Sequence, residues 1–307
     1  MPELPEVETI ARGLNKRIAG DTIDSVWLGS KPEPLKSPAT EIAAVLEHSR
    51  IARVRRVGKH IVFDLECRPS LARRGGRTWG TDSAADNNIG ADVRVSSEAC
   101  EAGRAQWIVH LGMTGQLLIA SPETELVKHT HAVLKLASGR ELRFVDPRRF
   151  GRLAVTRIDS QNGTGFAAPG DEPLDAAIDR FIALFRHRKT PIKSALLNQN
   201  LLSGVGNIYA DEALFRAGVR PRRRAASLTR DELKKLHRGL KDVLRHAIKL
   251  GGSSVSDYVD AEGRAGFFQL KHRVYGRETK PCLVCRTPIK RVIIAGRSSH
   301  YCPRCQK

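Results

Sequence analysis

The chain has 307 residues and 41% hydrophobic composition, which is enough for two domains with cores of their own. No apolar run approaches the roughly 20 residues that span a bilayer, and no basic start precedes an apolar stretch, so the sequence argues against a membrane span and a secretory signal and favours the cytoplasm. A net charge of +19 argues against a protein that lacks a polyanionic partner.

The positive charge is concentrated in the C-terminal part of the chain. Residues 1 to 172 contain 24 Lys and Arg against 22 Asp and Glu, whereas residues 173 to 307 contain 28 against 11. Neutralisation of phosphates by Lys and Arg supplies most sequence-independent affinity for nucleic acids, so this distribution favours nucleic acid as the partner. An anionic membrane surface is the alternative, but no basic amphipathic anchor stands out.

The first predicted element is a helix from Pro5 to about Ile18. Proline suits the first helical position, acidic residues suit the positive end of the helix dipole, and apolar residues recur along one face. The helix pattern leaves Pro2 and Glu3 unexplained.

A β-rich region follows the first helix. Its runs of β-branched and aromatic residues are TIDSVWLG, RIARVRRVGKHIVFDLE, QWIVHLGMTGQLLIA, HTHAVLKLASGRELRFVD and GRLAVTRI. We predict a short helix at EIAAVLEHS, a hairpin turn at LASGREL, and a sandwich or barrel over roughly the first 160 residues. Residues 68 to 105 are polar and aperiodic, which predicts a mobile insertion that loops into solvent. Cys67 and Cys100 at its edges lack metal spacing, and we assign them no role.

Two glycine-flanked turns in this region carry large apolar side chains beside basic ones. HLGMTG contains Met113, and VDPRRFG contains Arg148, Arg149 and Phe150. A methionine or phenylalanine by itself is more often a core residue. Together with basic neighbours they indicate wedges, which can enter a base stack and hold open the gap left by an extruded nucleotide.

Residues 161 to 174 have the composition of a linker, and the region beyond them is helical in pattern. The helical segments are DAAIDRFIALFRHR, PIKSALLNQNLL, IYADEALFRAG and TRDELKKLHRGLKDVLRHAIKLGG. Thr229 and Glu232 form a capping box for the last helix, and Gly251 ends it. A tight turn before a helix contains Gly204, Gly206 and Asn207. Backbone N–H groups in such a turn can hold a phosphate, although simple turn chemistry is the commoner explanation.

Two CxxC pairs, separated by sixteen residues, lie at the basic C-terminus. The four thiols are those of Cys282, Cys285, Cys302 and Cys305. This spacing predicts a closed tetrahedral zinc site, and zinc would replace the apolar core that so short a tail lacks. A redox pair is the alternative. The hairpin between the pairs would present basic side chains, namely Arg286, Lys290, Arg291 and Arg297.

The chain's first residues gain a chemical explanation if the initiator methionine is removed. Pro2 then carries a secondary amine, and an α-amino group has a pKa of about 7.7 to 8, which makes it a ready nucleophile near neutral pH. An iminium formed from a secondary amine at a sugar C1′ stays cationic and acidifies the C2′ hydrogen, so strand elimination follows. Glu3 is placed to act as general acid at the sugar ring oxygen.

These motifs together resemble the formamidopyrimidine-DNA glycosylases. The matching stretches are PELPEVET, VGKH, HLGMTG, DPRRFGR, PIKSALLNQNLLSGVGNIYADEALF and the ribbon that ends in YCPRCQK. The resemblance implies an α+β fold with an N-terminal β-sandwich behind a leading helix, a helix-two-turns-helix domain and a zinc-ribbon β-hairpin. We divide the chain accordingly into residues 1–160, a linker at 161–174, a helical DNA-binding domain at 175–272 and a zinc finger at 273–307.

The resemblance also implies the reaction and its residues. A bifunctional glycosylase/AP lyase of base excision repair would excise oxidised purines through a Schiff base with Pro2 and nick the strand by β,δ-elimination. Glu3 would donate the proton with support from Glu6, Lys59 would assist β-elimination, and Arg297 would assist δ-elimination. Met113, Arg148 and Phe150 would fill the hole in the duplex. The residues expected to bind backbone phosphates are His129, Arg149, Arg188, Lys193 and Asn207.

The resemblance further implies that the loop GGSSVSDYVDAEGRAGFFQ closes over the flipped base. One structural zinc ion, double-stranded DNA that contains oxidised bases or abasic sites, a monomer and association with the bacterial nucleoid are the remaining expectations. Two alternatives stay open. One is an endonuclease VIII-like enzyme for oxidised pyrimidines, and the other is a noncatalytic zinc protein that binds damaged DNA.

Overall fold

The computed structural model describes residues 1–67, 103–158, 163, 165–254 and 258–307. Eight strands and two helices make up the N-terminal part: α1 (Leu4–Ile18), β1 (Ile23–Leu28), α2 (Ala39–Leu46), β2 (Arg50–Val57), β3 (His60–Cys67), β4 (Gly103–His110), β5 (Gln116–Ala120), β6 (Thr130–Leu136), β7 (Glu141–Val145) and β8 (Arg152–Ile158). The C-terminal part contains α3 (Ile178–Phe185), α4 (Ile192–Leu197), α5 (Asn207–Ala217), α6 (Arg230–Lys249), β9 (Lys290–Ile294) and β10 (Arg297–Tyr301). Two short 3-10 helices lie at Ala225–Ser227 and Phe268–Lys271.

The eight N-terminal strands form two four-stranded antiparallel sheets, in the orders β1-β6-β7-β5 and β2-β3-β4-β8. Their inward side chains and the apolar face of α1 share one core, which includes Val7, Ile10, Phe63 and Trp107. The predicted sandwich with a leading helix is therefore confirmed.

The insertion predicted at residues 68 to 105 is three residues too long. Strand β4 begins at Gly103 and pairs with β3 in unbroken register, with Gly103 opposite Cys67 and Ala105 opposite Leu65. Small and polar residues at the start of the strand concealed it, because their pairing depends on β3 and not on their own propensity. The rest of the predicted insertion, with Cys100, lies outside the described residues.

The four helices of the C-terminal part pack around a second core. Helix α6 begins with the predicted capping box, in which the Thr229 hydroxyl accepts the Glu232 N–H at 3.2 Å and the Glu232 carboxylate accepts the Thr229 N–H at 2.8 Å. The helix ends before Gly251, whose φ of 75° lies in the left-handed region. None of the helices in the described parts of the chain has the length and apolar character needed to cross a membrane.

The start of the chain joins the two cores. The side chain of Leu4 is fully buried in the helical core, whereas that of Val7, one turn further on, is buried in the sandwich core. A hydrogen bond of 3.0 Å from the Leu4 N–H to the Gly204 carbonyl fixes this junction. The residues that precede Leu4 are thereby held between the two halves of the molecule.

Candidate active site and nucleic-acid interface

Glu3 lies against the first turn of helix α5, and Pro2 directly precedes it. Pro2 is buried, and the Glu3 carboxylate accepts the backbone N–H groups of Ile208 at 3.1 Å and Tyr209 at 3.4 Å. A carboxylate at a helix N-terminus satisfies orphan donors and interacts favourably with the helix dipole. Two backbone N–H groups at the start of α5 thus bind the protein's own carboxylate.

Gly206 makes this approach possible. A β-carbon at this position would lie 2.1 Å from Cδ of Glu3, so any larger residue would displace either the carboxylate or the helix. The glycine before α5 is therefore required by the position of Glu3 as well as by turn chemistry.

The buried environment of Glu3 raises the pKa of its carboxyl. Burial raises the pKa of its carboxyl to about 7, and the charge of Glu6 adds to the rise, while Lys59 and the two backbone N–H groups oppose it. A carboxyl with a pKa near the working pH can both give up and take back a proton efficiently.

The Glu6 side chain binds three segments that are far apart in the sequence. Its buried carboxylate accepts the Glu3 N–H at 2.9 Å, the Tyr209 hydroxyl at 2.5 Å and the Ser253 N–H at 2.7 Å. Burial raises the pKa of this carboxyl as well, and the hydrogen bond from Tyr209 opposes the rise. Glu6 therefore supports Glu3 through its backbone, as expected, and also fixes the start of the predicted lesion-capping loop.

Lys59 and Arg297 reach the same site from two hairpins. Lys59 lies in the two-residue turn between β2 and β3, where burial lowers the pKa of its ammonium and the charge of Glu3 partly restores it. Arg297 begins β10, and its positive charge lowers the pKa of Lys59 further. The structure thus brings together Glu3, Lys59 and Arg297, beside Pro2.

Lys193 is placed differently from a surface phosphate ligand. Its side chain is fully buried, and Nζ lies 2.6 Å from Oδ1 of Asp211 and 2.6 Å from the Ser298 carbonyl oxygen, to which it donates. Asn207, at the start of α5, donates to the Ser298 hydroxyl at 3.4 Å. Both residues therefore contact the ribbon hairpin, and their binding to phosphate stays a prediction.

The expected wedge residues are exposed and adjacent. Met113 is 41% exposed and Phe150 is 53% exposed, and the Arg148 guanidinium carbon lies 4.8 Å from the centre of the Phe150 ring. Large apolar side chains at such exposure are not core residues, so the core alternative does not hold for them. Arg149 is also exposed and forms an ion pair of 2.9 Å with Glu33.

Two other predicted phosphate ligands lie on the surface. His129 is exposed at a positive φ of 70°, directly before β6. Arg188 is exposed after α3, and its guanidinium donates to the Leu184 carbonyl at 2.8 Å. The described contacts do not connect Arg188 with the Glu3 site, so its role also stays a prediction.

The four cysteines of the tail form one cluster. Their Sγ atoms all lie within 4.8 Å of one another, with 3.9 Å between Cys282 and Cys305 and 3.4 Å between Cys285 and Cys302. Tetrahedral zinc with bonds of about 2.3 Å places its sulfur ligands about 3.8 Å apart, so these thiols fit one structural zinc ion. This confirms the predicted cofactor.

Comparisons with known proteins place the whole chain in one family. The model of the formamidopyrimidine-DNA glycosylase N-terminal domain matches residues 1–153, and that of the H2TH (helix-two-turns-helix) domain matches residues 169–259. A zinc finger found in FPG and IleRS matches residues 280–307. The chain belongs to the formamidopyrimidine-DNA glycosylase family. Membership confirms the predicted resemblance, the fold class and the enzyme class, a DNA glycosylase of base excision repair.

Individual members of the formamidopyrimidine-DNA glycosylase family are similar over their full length. The Solibacter usitatus enzyme is 41% identical over 313 residues, with 100% of both chains covered. The crystal structure of MutM (Fpg) from Thermus thermophilus superposes with a TM-score of 0.76 at 39% identity, over 99% of this chain and 98% of that one. A Lactococcus lactis Fpg mutant in complex with DNA that contains Fapy-dG gives a TM-score of 0.78 at 29% identity and 100% coverage of both chains.

Several positioning residues of this glycosylase were missed in the sequence. Tyr209 and Ser253 bind Glu6 from parts of the chain more than two hundred residues away, and no local signal marks them. Asp211 pairs with Lys193 and also accepts the His300 N–H of β10 at 2.8 Å. The one available signal was an acidic residue on an otherwise buried face of α5, which is rare unless the residue is paired.

Proposed function

We propose that this chain excises oxidised purines from double-stranded DNA and then cuts the strand at the resulting abasic site. The observation that carries the proposal is the Glu3 carboxyl, which is buried at the start of α5 with a pKa raised to about 7. It follows Pro2 directly and shares its surroundings with Lys59. A nucleophile, a proton donor near neutral pH and a cation therefore lie in one place, which is what attack on a sugar C1′ requires.

The reaction begins once Met1 has been removed and Pro2 carries a free secondary amine. Its nitrogen lone pair forms a bond to C1′, and the bond from C1′ to the base breaks, so that the base leaves with the electron pair and takes up the proton that the Pro2 nitrogen releases. The bond from C1′ to the ring oxygen O4′ then breaks as the nitrogen lone pair forms the C=N bond, and Glu3 gives its proton to O4′. The product is an iminium between Pro2 and the opened sugar.

Strand cleavage follows from the charge of this iminium. When C2′ loses a proton, the electron pair of that C–H bond becomes available to expel the 3′ phosphate from C3′. A second elimination expels the 5′ phosphate. Burial and Arg297 keep the pKa of Lys59 low, which favours proton exchange at this amine. Arg297 supplies positive charge for the second phosphate as it leaves.

DNA binding is assigned to the basic C-terminal part and to the wedge. Met113 and Phe150 are exposed as large apolar side chains, and Arg148 lies against the Phe150 ring. A zinc ion held by the four cysteines would fix the β9–β10 hairpin that carries Arg297, and its contribution is structural. We propose that the protein works as a monomer, because all of these groups lie within one chain. We also propose that it is located on the DNA of the nucleoid.

Borohydride trapping tests the proposal. The reagent reduces an iminium between protein and DNA to a stable amine, so processed wild-type protein should form a covalent adduct with a duplex that contains 8-oxoguanine opposite cytosine. Protein that retains Met1 should form none, because its Pro2 nitrogen is an amide. Glu3→Gln should lose base excision but still form an adduct at a pre-formed abasic site.

The substrate class needs a second duplex. A solved structure of the Lactococcus lactis Fpg contains DNA with an oxidised pyrimidine, so a thymine glycol duplex belongs in the same experiment. Faster excision of thymine glycol than of 8-oxoguanine would overturn the purine assignment. Lesion binding without an adduct or a strand break would overturn the enzymatic proposal as a whole.

A further inference from the structure

Asp146 is a buried carboxylate in the middle of the exposed wedge. It follows the last residue of β7 and is 0% exposed, whereas Met113 and Phe150 nearby are 41% and 53% exposed. It forms no ion pair with any residue that the structure describes. A buried carboxylate is expensive unless hydrogen bonds satisfy it, so its donors indicate its purpose.

The side chain of Asp146 binds both wedge turns. Its Oδ1 accepts the Thr114 hydroxyl at 2.5 Å and the Arg148 N–H at 3.3 Å, and its Oδ2 accepts the Gly151 N–H at 2.7 Å. Thr114 directly follows Met113. Arg148 and Gly151 lie on either side of Phe150. One carboxylate therefore fixes the backbone on both sides of Phe150 and the residue next to Met113.

The backbone of Asp146 adds a third segment to the same cluster. Its N–H donates to the His129 carbonyl at 3.0 Å, and its own carbonyl accepts the His131 ring Nε2–H at 3.0 Å. His129 is one of the predicted phosphate ligands. Asp146 therefore also fixes the position of the segment that contains His129 relative to the two wedge turns.

The two wedge turns also touch directly. Gly112 has a φ of 61°, and a β-carbon on it would lie 2.5 Å from the carbonyl carbon of Phe150. This contact leaves no room for independent movement of the turns. Their relative position depends on the close approach at Gly112 and on the hydrogen bonds of Asp146.

We propose that Asp146 is a positioning residue that holds Met113, Arg148 and Phe150 as one preformed wedge. The inference rests on the proposed function, because the wedge acts only when a nucleotide leaves the duplex. A wedge that is assembled before DNA binds loses no conformational entropy when the nucleotide is extruded. Hydrogen bonds to a carboxylate are strong enough to keep the wedge assembled. Its loss should slow steps that need an intact base stack and spare those that do not.

Two variants break the cluster in different ways. Asp146→Asn keeps the size of the side chain but turns an NH₂ group towards one of its donors, so at least one accepted hydrogen bond is lost. Thr114→Val keeps the shape and removes two hydrogen bonds, one donated by the hydroxyl to Asp146 and one accepted from the Arg148 N–H at 3.3 Å, while Asp146 keeps its two backbone donors. This variant covers the case in which Asp146→Asn folds poorly. Thr114→Ser retains the hydroxyl and is its matched control. Asp64→Asn on β3 is the control for sandwich stability. It loses a carboxylate that binds Arg55 at 2.8 Å and Gln106 at 2.6 Å.

Single-turnover rates on two substrates measure the effect. Asp146→Asn and Thr114→Val should excise 8-oxoguanine from a duplex at least about tenfold more slowly, while cleavage of an abasic site in single-stranded DNA changes by no more than about twofold. Both control variants should behave as the wild-type does. Phe150→Ala should slow duplex excision strongly in the wild-type and add little in the Asp146→Asn background, because both changes disable the same unit.

Three results would overturn the inference. These are equal losses on both substrates, an unchanged duplex rate, and additive effects of Phe150→Ala and Asp146→Asn. Hydrogen exchange separates this inference from the proposed function. The Gly151 amide should be protected in the wild-type and exchange faster in Asp146→Asn, and unchanged protection would refute the positioning role. Wild-type protein that forms no adduct would refute the proposed function, and the exchange result would then decide on Asp146 by itself.

Discussion

Glu3→Gln should stabilise the folded protein at alkaline pH while it abolishes base excision. Burial of Glu3 raises the pKa of its carboxyl from an ordinary 4.5 to about 7. Between these two values the folded state retains a proton that the unfolded state has released, so the free energy of unfolding of the wild-type falls as the pH rises through this range and stays low above it. Gln at this position does not titrate. One pKa unit corresponds to about 1.36 kcal/mol. The free energy of unfolding of the variant relative to that of the wild-type should therefore rise by about 2 kcal/mol between pH 5.5 and pH 8.5.

Urea unfolding of zinc-loaded protein at both pH values measures this difference. The comparison is between variant and wild-type at the same pH, because zinc release at low pH affects both proteins alike. Glu41→Gln, on the exposed side of α2, is the control and should show no such change. In single turnovers, wild-type excision should also slow above about pH 7 as the acid form of Glu3 is depleted. A stability difference that stays the same at both pH values would refute the assignment of a raised pKa to Glu3.

Three further changes test other parts of the site. Gly206→Ala should slow excision at least about tenfold, because its β-carbon would lie 2.1 Å from Cδ of Glu3. Gly13→Ala meets no atom closer than 3.6 Å and should leave the rate unchanged. Removal of zinc by a chelator should unfold the tail and weaken DNA binding at least about tenfold, measured by circular dichroism and filter binding, and unchanged binding would contradict the structural role of the tail. Lys193→Met should cost about 3 to 5 kcal/mol in thermal unfolding because it leaves the Asp211 carboxylate unpaired, and Asp211→Asn in the same chain should restore part of the loss.

The elements that the sequence predicted are those whose signals are local. The capping box at Thr229 and Glu232, the cysteine spacing and the alternating strands each lie within a short stretch, and all are present in the structure. Glu3 and Lys59 could be named from the family resemblance. The start of β4 was missed because residues 103 to 105 have no strand pattern of their own and depend on β3 for their register.

The electrostatics of the site could not be predicted from the sequence in the same way. The raised pKa of Glu3 depends first on burial, and that burial arises only when the N-terminus packs against α5, about two hundred residues later in the chain. Lys193 illustrates the same point in the opposite direction. A lysine in a basic region has the composition of a phosphate ligand, and its ammonium also contacts Asp211 and the Ser298 carbonyl, which no local pattern predicts. Long-range partners therefore determine the surroundings of this cation, and they cannot be identified from a short stretch of sequence.

Helix α5 explains how groups from three distant segments share one site. Its first turn binds Glu3 through the N–H groups of Ile208 and Tyr209, and the Tyr209 hydroxyl binds Glu6. One turn later, Asp211 accepts the His300 N–H of the ribbon hairpin. A rigid helix sets these attachment points at 1.5 Å for each residue, so the N-terminus and the ribbon have a fixed separation. The attachments are separate, however, because the hydrogen bonds that the structure describes to the Glu3 carboxylate come from Ile208 and Tyr209 of α5. We therefore expect loss of the zinc ribbon to remove Arg297 from the site but to leave Glu3 bound to α5.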